Sequence, residues 1–111
     1  MNLLLIITSN EAEKVWNAFR LANVSLAYEN QVEIFLLGKG VEAATISTKQ
    51  YDMQEQLDIF LEHGGNMTAC SICCESRKED MPLLLELLKC ETGSMQVLHG
   101  LVENADKIIT F

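Results

Sequence analysis

Apolar residues fall along this chain in two rhythms, unbroken runs of four to six and stripes at helical spacing, and the two alternate. Leu3 to Thr8 is a continuous aliphatic run, the pattern of a strand covered on both faces. Ser9 or Asn10 offers an N-cap, and Asn10 with Glu13 has capping-box spacing. Val15, Phe19, Ala22 and Leu26 then form one helical stripe, which Glu29-Asn30 ends. Val32 to Leu37 reads as a second strand, closed by Gly38-Lys39-Gly40, with a short helix expected from Val41 and a polar loop over 45–50. Met53, Leu57, Phe60 and Leu61 make a second amphipathic face, stopped by Gly64-Gly65.

Asn66 to Ser71 reads as a third strand, and a helix is expected just after Cys70, carrying Cys73, Cys74 and Arg77. Pro82 interrupts that helix or starts another. Leu83 to Cys90 fits a buried helix or a strand equally by periodicity; a short helix leading into a strand near Leu88 to Glu91 is the expectation. Gly93-Ser94 supplies a turn and cap, Leu98, Leu101, Val102 and Ala105 the face of a last helix, and Lys107 to Phe111 a final strand.

Strands that alternate with helices predict a parallel sheet with helices on both faces. In such sheets ligands gather at the carboxyl ends of the strands. Three candidate loops meet there: Thr8-Ser9-Asn10, Gly38-Lys39-Gly40 and the segment "TACSICCES", residues 68 to 76, which holds three of the four cysteines.

Composition narrows the function. The chain has 111 residues, 49% of them hydrophobic and 22% charged, the profile of one folded domain with a real core. Its formal charge is −8, from 8 Lys+Arg against 16 Asp+Glu. The densest basic spot, Arg77-Lys78, is flanked by Glu75, Glu79 and Asp80. Nucleic acid and anionic membranes need a cationic surface, so neither is expected as a partner. "MNLLLIITSN" has no basic flank or cleavage site and is too short to span a membrane. A cytoplasmic location follows as the expectation, and with it reduced thiols.

Cys70, Cys73 and Cys74 lie within five positions. At a strand end and helix N-terminus, Cys70 is expected to face unpaired backbone N–H groups, which favour a thiolate or a persulfide anion. Cys73 lies about one turn on, near enough to resolve a disulfide, and Cys74 is rotated by roughly 100° more. Four readings stand side by side. The thiols can simply pack as small hydrophobes. Cys70 and Cys73 can form a redox dithiol. A zinc site needs four ligands, but there is one Cys-x-x-Cys knuckle, with Cys90, His63 and His99 distant in sequence. Carriage of sulfur needs one reactive thiol in an open cleft.

Four segments, in order, resemble the DsrE/DsrF-like sulfur-relay family, which includes the TusD-type carriers. "LLIITSNEAEKVWNAFRLANVSL" is similar to its opening strand, loop and helix, and "VEIFLLGKGVEAA" to its second strand, glycine and short helix. "GGNMTACSICCESR" is similar to its segment in which a cysteine ends a strand and a helix runs on to an arginine. "LHGLVENADKIITF" is similar to its closing helix and strand. The resemblance implies one domain over residues 1–111, a three-layer α/β/α fold with a five-stranded, mainly parallel sheet. It also implies a trimer or hexamer of like chains, or assembly with sister subunits. By position Cys70 matches the family's persulfide-carrying cysteine, so the implied activity is sulfurtransferase-like, with sulfur-donor and sulfur-acceptor proteins as partners and no metal or organic cofactor. The chain departs from TusD-type carriers in a shorter, leucine-rich segment between Arg77 and Met95, and in the extra Cys73 and Cys74.

Other residues have plainer explanations beside any functional one. Lys39, between two glycines, could lean toward an anion at the strand ends or sit in a solvated turn. Asn10 could line the site or only cap a helix. Arg77 could screen a persulfide, but a salt bridge or an interface suits its distance from Cys70 better. His63 near a helix end is favourable as a cation, and His99 reads as a surface residue. Trp16, Met95 and the leucines of 83–88 fit a subunit interface.

Overall fold

The computed structural model describes residues 1–111. Five strands form one sheet: β1 (Asn2–Ile7), β2 (Gln31–Leu36), β3 (Asn66–Cys70), β4 (Glu91–Gly93) and β5 (Lys107–Thr110). Their order is β4-β3-β2-β1-β5, and every pairing is parallel. The helices are α1 (Ala12–Ala27), α2 (Met53–Glu62), α3 (Ser71–Glu75), α4 (Met81–Leu88) and α5 (Met95–Asn104), with a 3-10 helix over Gly38–Thr45.

The strand order decides the layers. From β1 to β4 each crossover steps the same way, so right-handed connections place α1 to α4 on one face. The last connection crosses back over the whole sheet to β5, which puts α5 on the other. Contacts agree: α1 packs on α2, and α5 touches β1 and β4.

The residues explain the burial. Leu5, Ile7, Ile34, Leu36 and Ala69 face α1 and α2 and are fully covered, together with Val15, Ala18, Phe19 and Phe60 from the helices. Phe19 and Phe60 meet edge to face at 5.8 Å between centroids, a favoured aromatic geometry. On the face toward α5, Phe35 is buried but Glu33 and Thr68 are only half-covered, and Asn66 and Glu91 are exposed. One helix cannot shield five strands, so this face is polar toward its edges.

The local signals act where the residues carry them. Glu29 takes φ 67° after α1, and Gly64 φ 88° after α2, the left-handed conformation that ends helices. Asp52 caps α2, its Oδ1 accepting the Glu55 N–H at 3.1 Å, and Ser94 caps α5 by accepting from Val97.

Three expectations are corrected. The N-cap of α1 is Glu11, whose side chain makes no capping hydrogen bond; the Ser9 hydroxyl accepts the Glu11 N–H instead, so Asn10 and Glu13 form no capping box. The helix after Gly38 is a 3-10 helix that starts three residues earlier than expected, at Gly38 itself. In the ambiguous leucine segment, α4 runs through Leu88 with Pro82 in its first turn and stops at Lys89 in the left-handed region, φ 53°. The strand there is only Glu91–Gly93. No helix is long and apolar enough to cross a membrane.

Candidate functional site

Three strand ends converge at the carboxyl edge of the sheet. Gly40 lies so close to the end of β1 that a Cβ on it would sit 1.9 Å from the Ile7 carbonyl oxygen. Only glycine lets the 3-10 segment approach so closely. That approach swings Gly38, at φ 58°, over the start of α3, where its N–H donates to the Cys73 Sγ at 3.2 Å. Ser71 ties the same corner to β4 by donating from its hydroxyl to the Gly93 carbonyl at 3.2 Å.

Cys70 is both the last residue of β3 and the N-cap of α3. Its Sγ accepts the Cys73 N–H at 3.4 Å. The backbone donors expected from the sequence are therefore present, but their effect is outweighed. The residue is 6% exposed. Burial, followed by the neighbouring Cys73 side chain, pushes the Cys70 thiol up, against the lowering effect of the Cys73 and Ile72 N–H groups. The backbone N–H groups act in the expected direction, and the burial of Cys70 outweighs them. A five-residue helix carries too little aligned dipole to reverse the cost of desolvation.

Cys73 is half-buried and Cys74 buried. Cys74 belongs to the hydrophobic core, and burial raises its pKa first, with the nearby Cys70 and Cys73 adding to the effect. Cys90, beyond Cys74, is pushed up to about 11, chiefly by burial. All four thiols are free, and no group of three or more His, Cys, Asp or Glu side chains is arranged to hold a metal ion.

Cys90 provides a pH test. A thiol whose folded pKa lies above the ordinary value near 8.5 keeps its proton in the native state while the unfolded chain loses it. Its contribution to stability therefore falls as pH rises from about 8.5 through about 11. Alkylation of the native protein followed by peptide mass mapping is expected to label Cys73 at pH 8 and to leave Cys90 largely unlabelled until the pH approaches 11. Labelling of Cys90 at pH 8 as fast as in urea would contradict its assignment as a packed thiol.

The remaining candidates sit apart from the sulfur atoms or are held elsewhere. Arg77 is locked by Glu42, whose Oε2 accepts from Nε at 3.1 Å and Nη2 at 2.9 Å, while Nη1 donates to the Cys73 carbonyl at 2.8 Å. It staples α3 to the 3-10 segment, an ion pair at side-chain exposures of 21% and 31%. Lys39 and Asn10 are exposed at the rim. His63 caps α2, its Nδ1 2.8 Å from the Ile59 carbonyl oxygen, and His99 pairs with Glu103 on the surface of α5. Trp16 packs against Tyr51 and under Arg20 within the chain. The largest cavity, about 470 Å³, opens at the opposite ends of the strands among Asn30, Glu33, His63 and Leu101, and no cysteine lines it.

Two residues of this site carry no chemical side chain and were not singled out for it by sequence: Gly38, through its N–H, and Gly40, through its lack of a Cβ. The paired glycines around Lys39 signalled a turn, but not that the turn reaches Cys73, 35 positions on.

Known proteins share this fold. The E. coli ychN protein superposes over 100% of both chains with a TM-score of 0.82 at 24% identity. A conserved protein of unknown function, BT1422 from Bacteroides thetaiotaomicron, covers 99% of this chain and 94% of its own with a TM-score of 0.76 at 21% identity. Among curated sequences, the uncharacterized protein MJ0989 of Methanocaldococcus jannaschii is 29% identical over 102 residues, 89% of this chain and 88% of its own. The model of the DsrE/DsrF-like family matches residues 1–111. With the cysteine-ended third strand in a five-stranded parallel sheet, this match over the full length makes the chain a member of the DsrE/DsrF-like family.

Proposed function

We propose that this protein carries sulfur as a persulfide on Cys70 and passes it to a protein partner. The observation that supports the reading best is the position of Cys70: it ends a central strand and receives the backbone N–H of Cys73 on its sulfur, where ligands of open parallel sheets collect. Loading exchanges one S–S bond for another. A thiolate of this chain attacks the outer sulfur of a donor persulfide, the donor's S–S bond breaks, and the donor leaves as a thiolate. Unloading is the same exchange with an acceptor thiolate as the attacking group, and no electrons are gained or lost overall. The half-buried Cys73 one turn away also supports a second reading, a Cys70–Cys73 dithiol that cycles with a disulfide.

The partners in this reading are sulfur-donor and sulfur-acceptor proteins in the cytoplasm, where free thiols persist. Self-assembly or assembly with sister subunits fits the apolar side chains left outside, among them Leu83, Met95 and Val97. Intact mass after incubation with a cysteine desulfurase and L-cysteine, without reductant, tests the reading. The expected result is a reductant-labile gain of one sulfur atom that maps to Cys70. A loss of two hydrogens would favour the dithiol instead, and no change would remove both.

A further inference from the structure

We propose that Cys73 is the exchange thiol of the pair, through which sulfur enters and leaves, and that Cys70 is the retention site behind it; the inference rests on the sulfur-carrier reading. Exchange between proteins needs an open line of approach, because the attacking thiolate must come in along the S–S axis of the persulfide. Cys70 is 6% exposed, whereas Cys73 is half-open to solvent. A partner's sulfur therefore meets Cys73 first.

Cys73 is also equipped as a leaving group. When sulfur passes from it to Cys70, negative charge develops on the Cys73 Sγ. The Gly38 N–H already points at that atom from 3.2 Å, a fixed donor of the kind that stabilises developing anions. The Arg77 guanidinium is not available for this, because it is held by Glu42 and by backbone. The Cys73 N–H donates to the Cys70 Sγ and the two cysteine side chains interact directly, so the internal transfer has the high effective concentration of a neighbouring pair.

The relay balances. The Cys73 thiolate attacks the outer sulfur of the donor persulfide, the donor S–S bond breaks, and the donor thiolate departs. Cys70 then attacks the outer sulfur now on Cys73, the Cys73 S–S bond breaks, and the Cys70 S–S bond forms. The proton that Cys70 gives up goes to the departing Cys73 sulfur. The net change is transfer of one sulfur atom from Cys73 to Cys70 without oxidation. Delivery to an acceptor runs the same steps backward.

Three proteins test this: wild type, Cys70→Ser and Cys73→Ser. Each is mixed with cysteine desulfurase and L-cysteine, quenched at intervals with an alkylating reagent, and mapped by mass. Serine keeps an acceptor for the Gly38 N–H, and circular dichroism reports whether each variant folds. The relay predicts persulfide trapped on Cys73 in Cys70→Ser, and loading of Cys70 slowed about tenfold or more in Cys73→Ser. Absence of sulfur on Cys73 in Cys70→Ser overturns it whatever the rate in Cys73→Ser. Loading of Cys73→Ser at the wild-type rate overturns it too, yet leaves Cys70 a sulfur carrier that exchanges directly. A wild type that gains no sulfur overturns the carrier reading itself.

Discussion

Gly40→Ala is expected to destabilise the protein by about 3 kcal/mol or more, a large share of the roughly 5–15 kcal/mol that holds a domain of this size together. The new Cβ would sit 1.9 Å from the Ile7 oxygen and 2.7 Å from the Ile7 carbonyl carbon. Neither side can retreat cheaply. The same Ile7 oxygen accepts the Leu37 N–H at 2.9 Å, and the Gly40 N–H is bonded to the Leu37 carbonyl at 3.0 Å. Ile7 belongs to a strand paired on both sides, so moving it strains the sheet. The 3-10 segment must lift instead, and the Gly38 N–H goes with it, away from Cys73. Urea denaturation measures the loss. Gly100→Ala is the control, since nothing lies within 4 Å of a Cβ there and the position is inside α5. It is expected to stabilise by about 0.5–1 kcal/mol through the better helix propensity of alanine. Equal midpoints for the two variants would show that the close approach at Gly40 does not constrain the fold.

Replacing Cys70 and Cys73 together by serine is expected to abolish sulfur gain, whereas Cys74→Ala and Cys90→Ala each retain it. All four thiols are free, so the distinction comes from surroundings. Cys74 is 1% exposed within the core, and its raised pKa is first of all a burial effect. Cys90, pushed up to about 11, has almost no thiolate at neutral pH. A thiol that neither ionises nor meets a partner does not exchange sulfur. Cys70 and Cys73 lie together at the strand ends, with backbone N–H groups on their sulfurs that solvate a sulfur anion as water would, whereas the Ala69 backbone bond to Cys90 is outweighed by burial. The measurement is intact mass after desulfurase treatment, with and without reductant. Alanine at position 74 leaves a small void and a modest loss of stability, so loading is read at a temperature where the variant is folded. A double-serine protein that still gains labile sulfur would move the site to Cys74 or Cys90.

Local chemistry determined much of this protein before any tertiary contact. The short aliphatic runs bounded by turn residues, Leu3 to Thr8 and Val32 to Leu37, fit strands covered on both faces, and the stripe Val15-Phe19-Ala22 fits a helix facing a core, so the alternation and the parallel sheet were legible. So were the stops at Glu29 and Gly64, because a chain break needs little beyond its own residues. Cys70 at the end of the third strand followed from the same pattern. The leucine segment did not resolve, because "PLLLELL" is apolar in every direction. Contacts with the core chose Leu84 and Leu88, four apart, as its inner face and left Leu83 exposed, which made it a helix. The position of β5 beside β1, at the far side of the sheet from β4, was likewise a matter of which strand edges remained free. The ionisation of Cys70 was decided in three dimensions as well. Its place in the sequence supplies backbone donors that favour the anion, but burial depends on everything packed around it and weighs more. Gly38 and Cys73 met for the same reason: no pattern in the residues between them encodes a hydrogen bond across 35 positions, and only the close approach of Gly40 to Ile7 brings the two together.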